Sequence, residues 1–268
     1  MTTKVVILGA GHVGSHVASA LAAGGVCDEI VLVDVIPGKA AAQADDIADS
    51  LSCLPCAPWV RDGDYADCAD ADITVCAIGK PREKGQTRLD LLEDSVRMVR
   101  GLAESLRPAP PKGVVISITN PCDIIADCLR RALGMDRSRC FGTGTLLDTL
   151  RLIRILSEQT SSARGETEAV VLGEHGDSSM IPYGCLRVRG KPAAETPGFD
   201  PQNALLRTHR TGMDIIEGKG STEFGIGQAA AHLIRSILTD ARVTLPLSVE
   251  LQGEYGVQGL HCGVPCTV

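Results

Sequence analysis

A chain of 268 residues with 44% hydrophobic content is long enough for one large α/β unit or two modest domains, and no stretch of it has the composition of a disordered segment. Its 26 basic and 33 acidic residues leave a net charge of −7, which argues against a nucleic-acid or anionic-membrane surface. Any anionic substrate must therefore be held by a few placed arginines. The eleven cysteines are an odd count with no pair of CxxC motifs, and Cys76, Cys128 and Cys185 sit in apolar runs where a reduced thiol packs as a small hydrophobe. Cys53 and Cys56 form a CLPC tetrapeptide, but no second cluster completes a zinc site, so it reads as packing and no metal is expected. Reduced thiols, an N-terminus without a signal peptide's charged leader and apolar core, and the lack of a bilayer-length apolar run predict a cytoplasmic protein.

Along the chain, residues 5–8, 30–33, 73–78 and 114–118 are short runs rich in β-branched residues without polar alternation, as expected of strands covered on both faces. Helix-like segments over 12–24, 38–51, 86–106 and 121–133 separate them, and the alternation predicts a parallel, right-handed, doubly wound sheet. Gly24 and Gly25 end the first helix, Pro108, Pro110 and Pro111 stop the third, and Asn120 and Pro121 read as cap and first-turn residue of the fourth. After about Gly142 the pattern changes to a long helix, strands near 168–172 and 184–189, helices near 200–217 and 222–239, and strands near 241–249. This predicts two domains, 1–142 and 143–268, the second mixed α+β, packed closely with the site between them.

Three motifs carry chemistry. Gly9-Ala10-Gly11-His12-Val13-Gly14 follows the first strand and opens a helix, where glycines allow a tight turn, close approach of a pyrophosphate, and helix-on-strand packing. Asp34 falls twenty residues after Gly14 at the end of the second strand; its carboxylate accepts from ribose hydroxyls and repels a 2′-phosphate, so the expected cofactor is NAD rather than NADP. His12 reads as a spacer within this turn. In Gly142-Thr-Gly-Thr-Leu-Leu-Asp148-Thr-Leu-Arg151 the three-residue step puts Asp148 and Arg151 on one helix face, an anion for an imidazole beside a guanidinium for a substrate carboxylate. That imidazole is expected in Leu172-Gly173-Glu174-His175-Gly176-Asp177-Ser178, just after an apolar run, where a histidine held by a carboxylate exchanges a proton near neutral pH.

With the glycine fingerprint, Ile118-Thr-Asn120-Pro-Cys-Asp123, Leu147-Asp148-Thr-Leu-Arg151 and Gly173-Glu-His175-Gly-Asp-Ser in one order, the chain resembles the lactate/malate dehydrogenase family from Lys4 almost to its last residue. The resemblance implies a Rossmann-type α/β fold with an α+β substrate domain, an NAD-dependent L-2-hydroxyacid dehydrogenase, a small 2-keto or 2-hydroxy acid substrate, and a homo-oligomer, dimer or tetramer. It implies that His175 is the proton donor and acceptor, that Asp148 stabilises its imidazolium, that Arg151 grips the substrate carboxylate, and that Asn120 hydrogen-bonds the substrate oxygen. Arg88 matches the loop arginine that polarises the substrate carbonyl. Around the cofactor, Gly9, Gly11, Val13, Gly14, Asp34, Lys39, Tyr65, Gly79, Asn120 and Thr143 match positions that line the NAD site, and Ile226 matches the apolar wall behind the nicotinamide.

Substrate choice in the family depends largely on the residue six before the loop arginine. Arg82 stands there and resembles the arginine of malate enzymes, so malate and oxaloacetate are the expected pair. An unpaired arginine closed over pyruvate's methyl group would cost roughly 3 to 5 kcal/mol. Thr222 resembles the threonine of lactate enzymes, and Glu83 and Lys84 beside Arg82 offer it a solvated alternative, so lactate and pyruvate remain the second reading. Relatives continue past Val264-Pro265 into a further strand pair and a long helix, so a C-terminally shortened member is expected. Ile153 and Glu168 stand where some relatives bind fructose bisphosphate with an arginine and a histidine, so no activation by that sugar is expected. Two competing readings are a metal-dependent NAD-linked glycosidase, against which the histidine and Asp148–Arg151 motifs argue, and a non-catalytic NAD-binding protein.

Overall fold

The computed structural model describes residues 2–54, 57–79 and 88–268, with the backbone alone for 88–91. Its principal sheet has eight strands, six of them parallel: β1 (Lys4–Leu8), β2 (Glu29–Val33), β3 (Trp59–Asp62), β4 (Ile73–Cys76), β5 (Val114–Ser117) and β6 (Cys140–Gly142). The parallel strands lie in the order β3-β2-β1-β4-β5-β6. Strand order reverses between β1 and β4, which opens a crevice at their carboxyl ends where such sheets bind ligands. Helices α1 (His12–Ala23), α2 (Lys39–Leu51), α3 (Arg88–Leu106) and α4 (Cys122–Leu133) make the crossovers.

Alternation along β1 shows why the strand is apolar throughout. Val5 and Ile7 enter a core shared with α1 and α2, whereas Val6 and Leu8 enter one shared with α3 and α4, and all four are buried. The second half of the chain supplies α5 (Leu146–Thr160), the small antiparallel sheet β7 (Thr167–Glu168), β8 (Arg187–Val188) and β9 (Lys191–Pro192), then α6 (Pro201–Lys219) and α7 (Phe224–Leu238). Its last two strands extend the principal sheet, β10 (Thr244–Gln252) pairing antiparallel with β6 and β11 (Gln258–Thr267) antiparallel with β10. Ala229, Ala230, Leu233 and Ile234 of α7 bury in the same core as α1, so both halves of the chain share one sheet and one apolar layer.

The expected strands and helices of residues 1–133 are found, with local differences. Strands β4 and β5 stop at Cys76 and Ser117, short of the expected 78 and 118. Pro121, extended after a cis peptide bond, is itself the cap of α4, so Asn120 does not cap the helix as expected. The expected strand over 168–172 shrinks to β7 plus isolated bridges at Leu172–Met180 and Gly173–Gly263, and the expected strand over 184–189 is a 3₁₀ turn (Tyr183–Cys185) followed by β8. Strands β3, β6 and β11 were not anticipated: β3 buries only Val60, β6 has three residues, and β11 is an edge strand whose glycines and proline mask its alternation. Among the described residues no helix is long and apolar enough to cross a membrane.

Candidate active site

The glycine turn joins β1 to α1 at the crevice. Gly9 has a φ of 104°, and a Cβ there would lie 2.6 Å from the Ala77 carbonyl at the end of β4. At Gly14 a Cβ would fall 1.8 Å from the Gly9 carbonyl oxygen, so α1 approaches the turn only because this residue lacks a side chain. Gly11 is different: the nearest atom to its notional Cβ is Lys39 Nζ at 3.9 Å, which leaves its face open. Gly11 also caps α1 without a side-chain bond, so the first-turn amides point to a space fitted for an anion.

Asp34, just beyond β2, is nearly buried and held from three sides. Oδ2 accepts from Ala10 N at 2.8 Å and lies 3.3 Å from Lys39 Nζ, and Oδ1 accepts from Ile36 N at 2.9 Å. Burial works against its charge, but the two backbone bonds and Lys39 outweigh it and hold the carboxyl below its ordinary range. The remaining lone pairs suit ribose hydroxyls, and this donor set fits NAD. Tyr65 is half-buried in the 3₁₀ turn Tyr65–Ala69, and burial, followed by the Asp34 charge, raises its pKa above the usual value. Val13 and Ile226 pack at the margin of the same core, and Gly79 is an exposed position after β4. Thr143 is buried after β6, with its hydroxyl 3.9 Å from Cys122 Sγ.

The second constellation centres on α5. Asp148 and Arg151, one turn apart, share an ion pair of 3.0 Å through Oδ1, and Asp148 Oδ2 lies 2.6 Å from His175 Nδ1. Burial opposes the imidazolium, yet the hydrogen bond and charge of Asp148 overturn that effect and raise the His175 pKa. Asp148 shows the reciprocal behaviour, with burial raising and the His175 and Arg151 contacts lowering it to a net depression. The His175 side chain keeps a quarter of its surface exposed, enough to meet a small substrate through Nε2. Arg151 is nearly enclosed, with Gly212 of α6 lying close against its guanidinium.

Four residues that sequence reasoning assigned no role fix this geometry. Thr145 donates to Val171 O at 2.5 Å and Thr149 accepts from Val171 N at 2.9 Å, which clips the segment before His175 onto α5. Asp123 of α4 accepts from His175 N at 2.9 Å and from Ser248 Oγ of β10 at 2.6 Å. Burial pushes the Asp123 carboxyl above its usual range, and those two bonds only partly offset this. Asp123 stood in a quoted motif, but its partners lie 52 and 125 positions away, so no local signal marked it.

Asn120 is exposed beside α4, its carbonyl accepting from Ser95 Oγ at 3.2 Å, and Thr222 is half-buried at the α6–α7 corner. Arg82 lies outside the described residues, as does the side chain of Arg88, whose backbone opens α3.

The sequence profile for the NAD-binding domain of lactate/malate dehydrogenase matches residues 3–142, and that for the α/β C-terminal domain of the same family matches 145–268. An L-lactate dehydrogenase of Fusobacterium nucleatum is 38% identical over 275 aligned positions, covering 100% of this chain and 86% of the relative. The minor L-lactate dehydrogenase of Enterococcus mundtii superposes with a TM-score of 0.96 at 32% identity, covering 100% of this chain and 87% of that one. A malate dehydrogenase of Salinibacter ruber superposes at 0.90 with 29% identity, covering 99% and 86% respectively.

Proposed function

Since this chain belongs to the lactate/malate dehydrogenase family and is therefore an NAD-dependent 2-hydroxyacid dehydrogenase, we propose that it interconverts pyruvate and L-lactate. The proposal reverses the order of preference drawn from Arg82. It is supported by the similarity to L-lactate dehydrogenases over the whole chain and by Thr222 at the α6–α7 corner.

The observation that carries the chemistry is the His175–Asp148–Arg151 constellation. Bound NAD supplies or accepts the hydride at substrate C2, and the protein manages one proton and one carboxylate. Arg151, braced through Nη1 by Asp148, has its other nitrogens for the substrate carboxylate, a two-point grip that fixes orientation. His175 presents Nε2 to the substrate oxygen, donating its proton in reduction and taking one in oxidation. Asp148 holds Nδ1–H throughout, so the charge that appears and disappears on the ring always faces a fixed carboxylate. Asn120 contributes a hydrogen bond to the substrate oxygen, Arg88 polarises the carbonyl, and Thr222 lines the pocket. In this reading residues 1–142 hold the cofactor, residues 143–268 hold the substrate, and the enzyme is a cytoplasmic homo-oligomer.

Arg82 favours a second reading, malate and oxaloacetate, since a guanidinium at that position matches a second substrate carboxylate. Rates of NADH oxidation with pyruvate and with oxaloacetate, for the natural chain and for Arg82→Gln, decide between them. Pyruvate should give the higher kcat/KM in both proteins. A natural enzyme that prefers oxaloacetate and loses that preference in Arg82→Gln would establish the malate reading instead.

A further inference from the structure

His12 stands on the first turn of α1, beside the open face of Gly11, with 80% of its side chain exposed. Its Nδ1 lies 3.7 Å from Oε2 of Glu223, the residue that precedes α7. That separation turns Nδ1 toward the carboxylate, so Nε2 is the nitrogen left to donate to a ligand when the ring is protonated. Glu223 is itself firmly placed: Lys219 Nζ pairs with Oε1, Ser221 Oγ donates to Oε2 at 2.8 Å, and the carboxylate is 12% exposed. The surroundings are rigid as well. His16, one turn along α1, donates through Nδ1 to the His12 carbonyl at 2.6 Å and meets the Phe224 ring edge-on at 4.7 Å, while Lys219 Nζ sits 4.4 Å over the same ring. A Cβ on Gly227 would lie 2.9 Å from the His16 carbonyl, so α7 approaches α1 closely enough to hold this corner in register.

We propose that His12 is a side-chain contact for the pyrophosphate of NAD, positioned by Glu223. The backbone amides at the start of α1 offer neutral donors, and His12 adds a group that can carry charge. The other basic group near Gly11, Lys39, is already paired with Asp34. When the ring carries its proton it faces two anions, Glu223 on one side and the pyrophosphate on the other, so the contact is then charge-assisted. The remaining charged groups around it, Lys219 and Glu223 from the α6–α7 corner and Lys39 and Asp34 from the β2–α2 side, are committed to each other in pairs; His16 lies behind it on the same helix. The same carboxylate then ties the phosphate turn to the corner that carries Thr222 and Ile226.

ADP-ribose tests this, because it carries the pyrophosphate but lacks the nicotinamide that would reach His175. Its affinity for the natural protein, by calorimetry, tests the cofactor site independently of His12. The natural protein should bind ADP-ribose more tightly at about pH 6 than at about pH 8. His12→Ala should bind it about threefold to fivefold more weakly at the lower pH and lose that dependence. His12→Asn, a neutral donor, should recover affinity at the higher pH but not the pH dependence. Glu223→Gln should weaken binding and flatten the same curve. Equal affinity and an unchanged pH curve in His12→Ala overturn the assignment, and tighter binding in Glu223→Gln overturns the positioning role, since the carboxylate would then only repel the phosphates. Melting curves for the three variants separate these outcomes from loss of fold, which an exposed ring does not support.

Discussion

Replacing Asp148 with asparagine removes a charge with hardly any change of volume, at a group that serves two cations at once. Oδ2 takes His175 Nδ1 at 2.6 Å and Oδ1 takes Arg151 Nη1 at 3.0 Å. An amide has one oxygen to share between them. If that oxygen faces the imidazole, the NH₂ group is turned on a guanidinium that can only donate. If it faces Arg151, the NH₂ group selects the ring tautomer with the proton on Nε2 and denies Nδ1 its own. Either way one charge-assisted hydrogen bond is forfeited, about 1.5 to 3 kcal/mol, or roughly a 10- to 150-fold fall in kcat/KM for keto-acid reduction. The first orientation loads the loss onto KM through Arg151, and the second onto kcat through His175.

The pH profile separates this electrostatic effect from a steric one. Reduction needs the protonated imidazole, so activity is present below the His175 pKa and lost as pH rises through it. Asp148 raises that pKa against the opposing effect of burial. Asp148→Asn should therefore move the loss of reductase activity to lower pH, while NADH affinity, measured by fluorescence, stays as it was. Initial rates between about pH 5.5 and 9 test both effects together. A variant whose kcat/KM stays within about twofold and whose basic limb does not move would refute the assigned role.

Two further outcomes follow from buried groups outside that pair. Asp123→Ala leaves the His175 amide and the Ser248 hydroxyl without their acceptor, a cost of about 1 to 3 kcal/mol for each orphaned group. It should lower both melting temperature and kcat, with Asp123→Asn milder because its oxygen can keep the amide while Ser248 accepts from its nitrogen; a full kcat in Asp123→Ala would show that His175 needs no such tether. His261 has a side chain 1% exposed and neither ring nitrogen hydrogen-bonded, with Asp127 at 3.5 Å as its nearest acid. Burial lowers its pKa ahead of the opposing Asp127 charge. The unfolded chain then holds the proton to higher pH than the folded one, so the stability of the neutral ring is complete above the ordinary histidine value and is lost as pH falls below it. Thermal melts should show His261→Leu flattening the acid-side decline of the natural protein; an identical decline in both would place its origin elsewhere.

What could be read from the sequence was what is local. Asp34 falls at a fixed twenty-residue step from the Gly9–Gly14 turn, one strand on, and Asp148 and Arg151 are one helical turn apart, so spacing alone placed them. His175 needed its carboxylate from 27 positions upstream, and the flanking motif supplied that link where periodicity could not. The Asp123–Ser248 bond, 125 positions long, and the His12–Glu223 contact between α1 and the cap of α7 leave no periodic trace. Arg82 shows the converse limit: its identity is plain in the chain, but it lies outside the described residues. The Asn120-Pro121 dipeptide predicts a cap at Asn120, whereas the cap of α4 is Pro121, one residue on.

The position of the histidine follows from these non-local bonds taken together. Its backbone amide is bound to α4 through Asp123, its ring to α5 through Asp148, and the preceding Gly173 exchanges two backbone hydrogen bonds, of 2.8 and 2.7 Å, with Gly263 of β11. Gly263 has no room for a side chain, since a Cβ would lie 2.4 Å from Thr145 Oγ1, the same hydroxyl that clips Val171 to α5. A shift of the C-terminal hairpin by one residue would thus displace Gly173 and, through Ser248, disturb Asp123 as well. The β10–β11 hairpin is distant in sequence from the α4 and α5 motifs, yet it belongs to the support of the catalytic ring as much as the helices that carry the carboxylates.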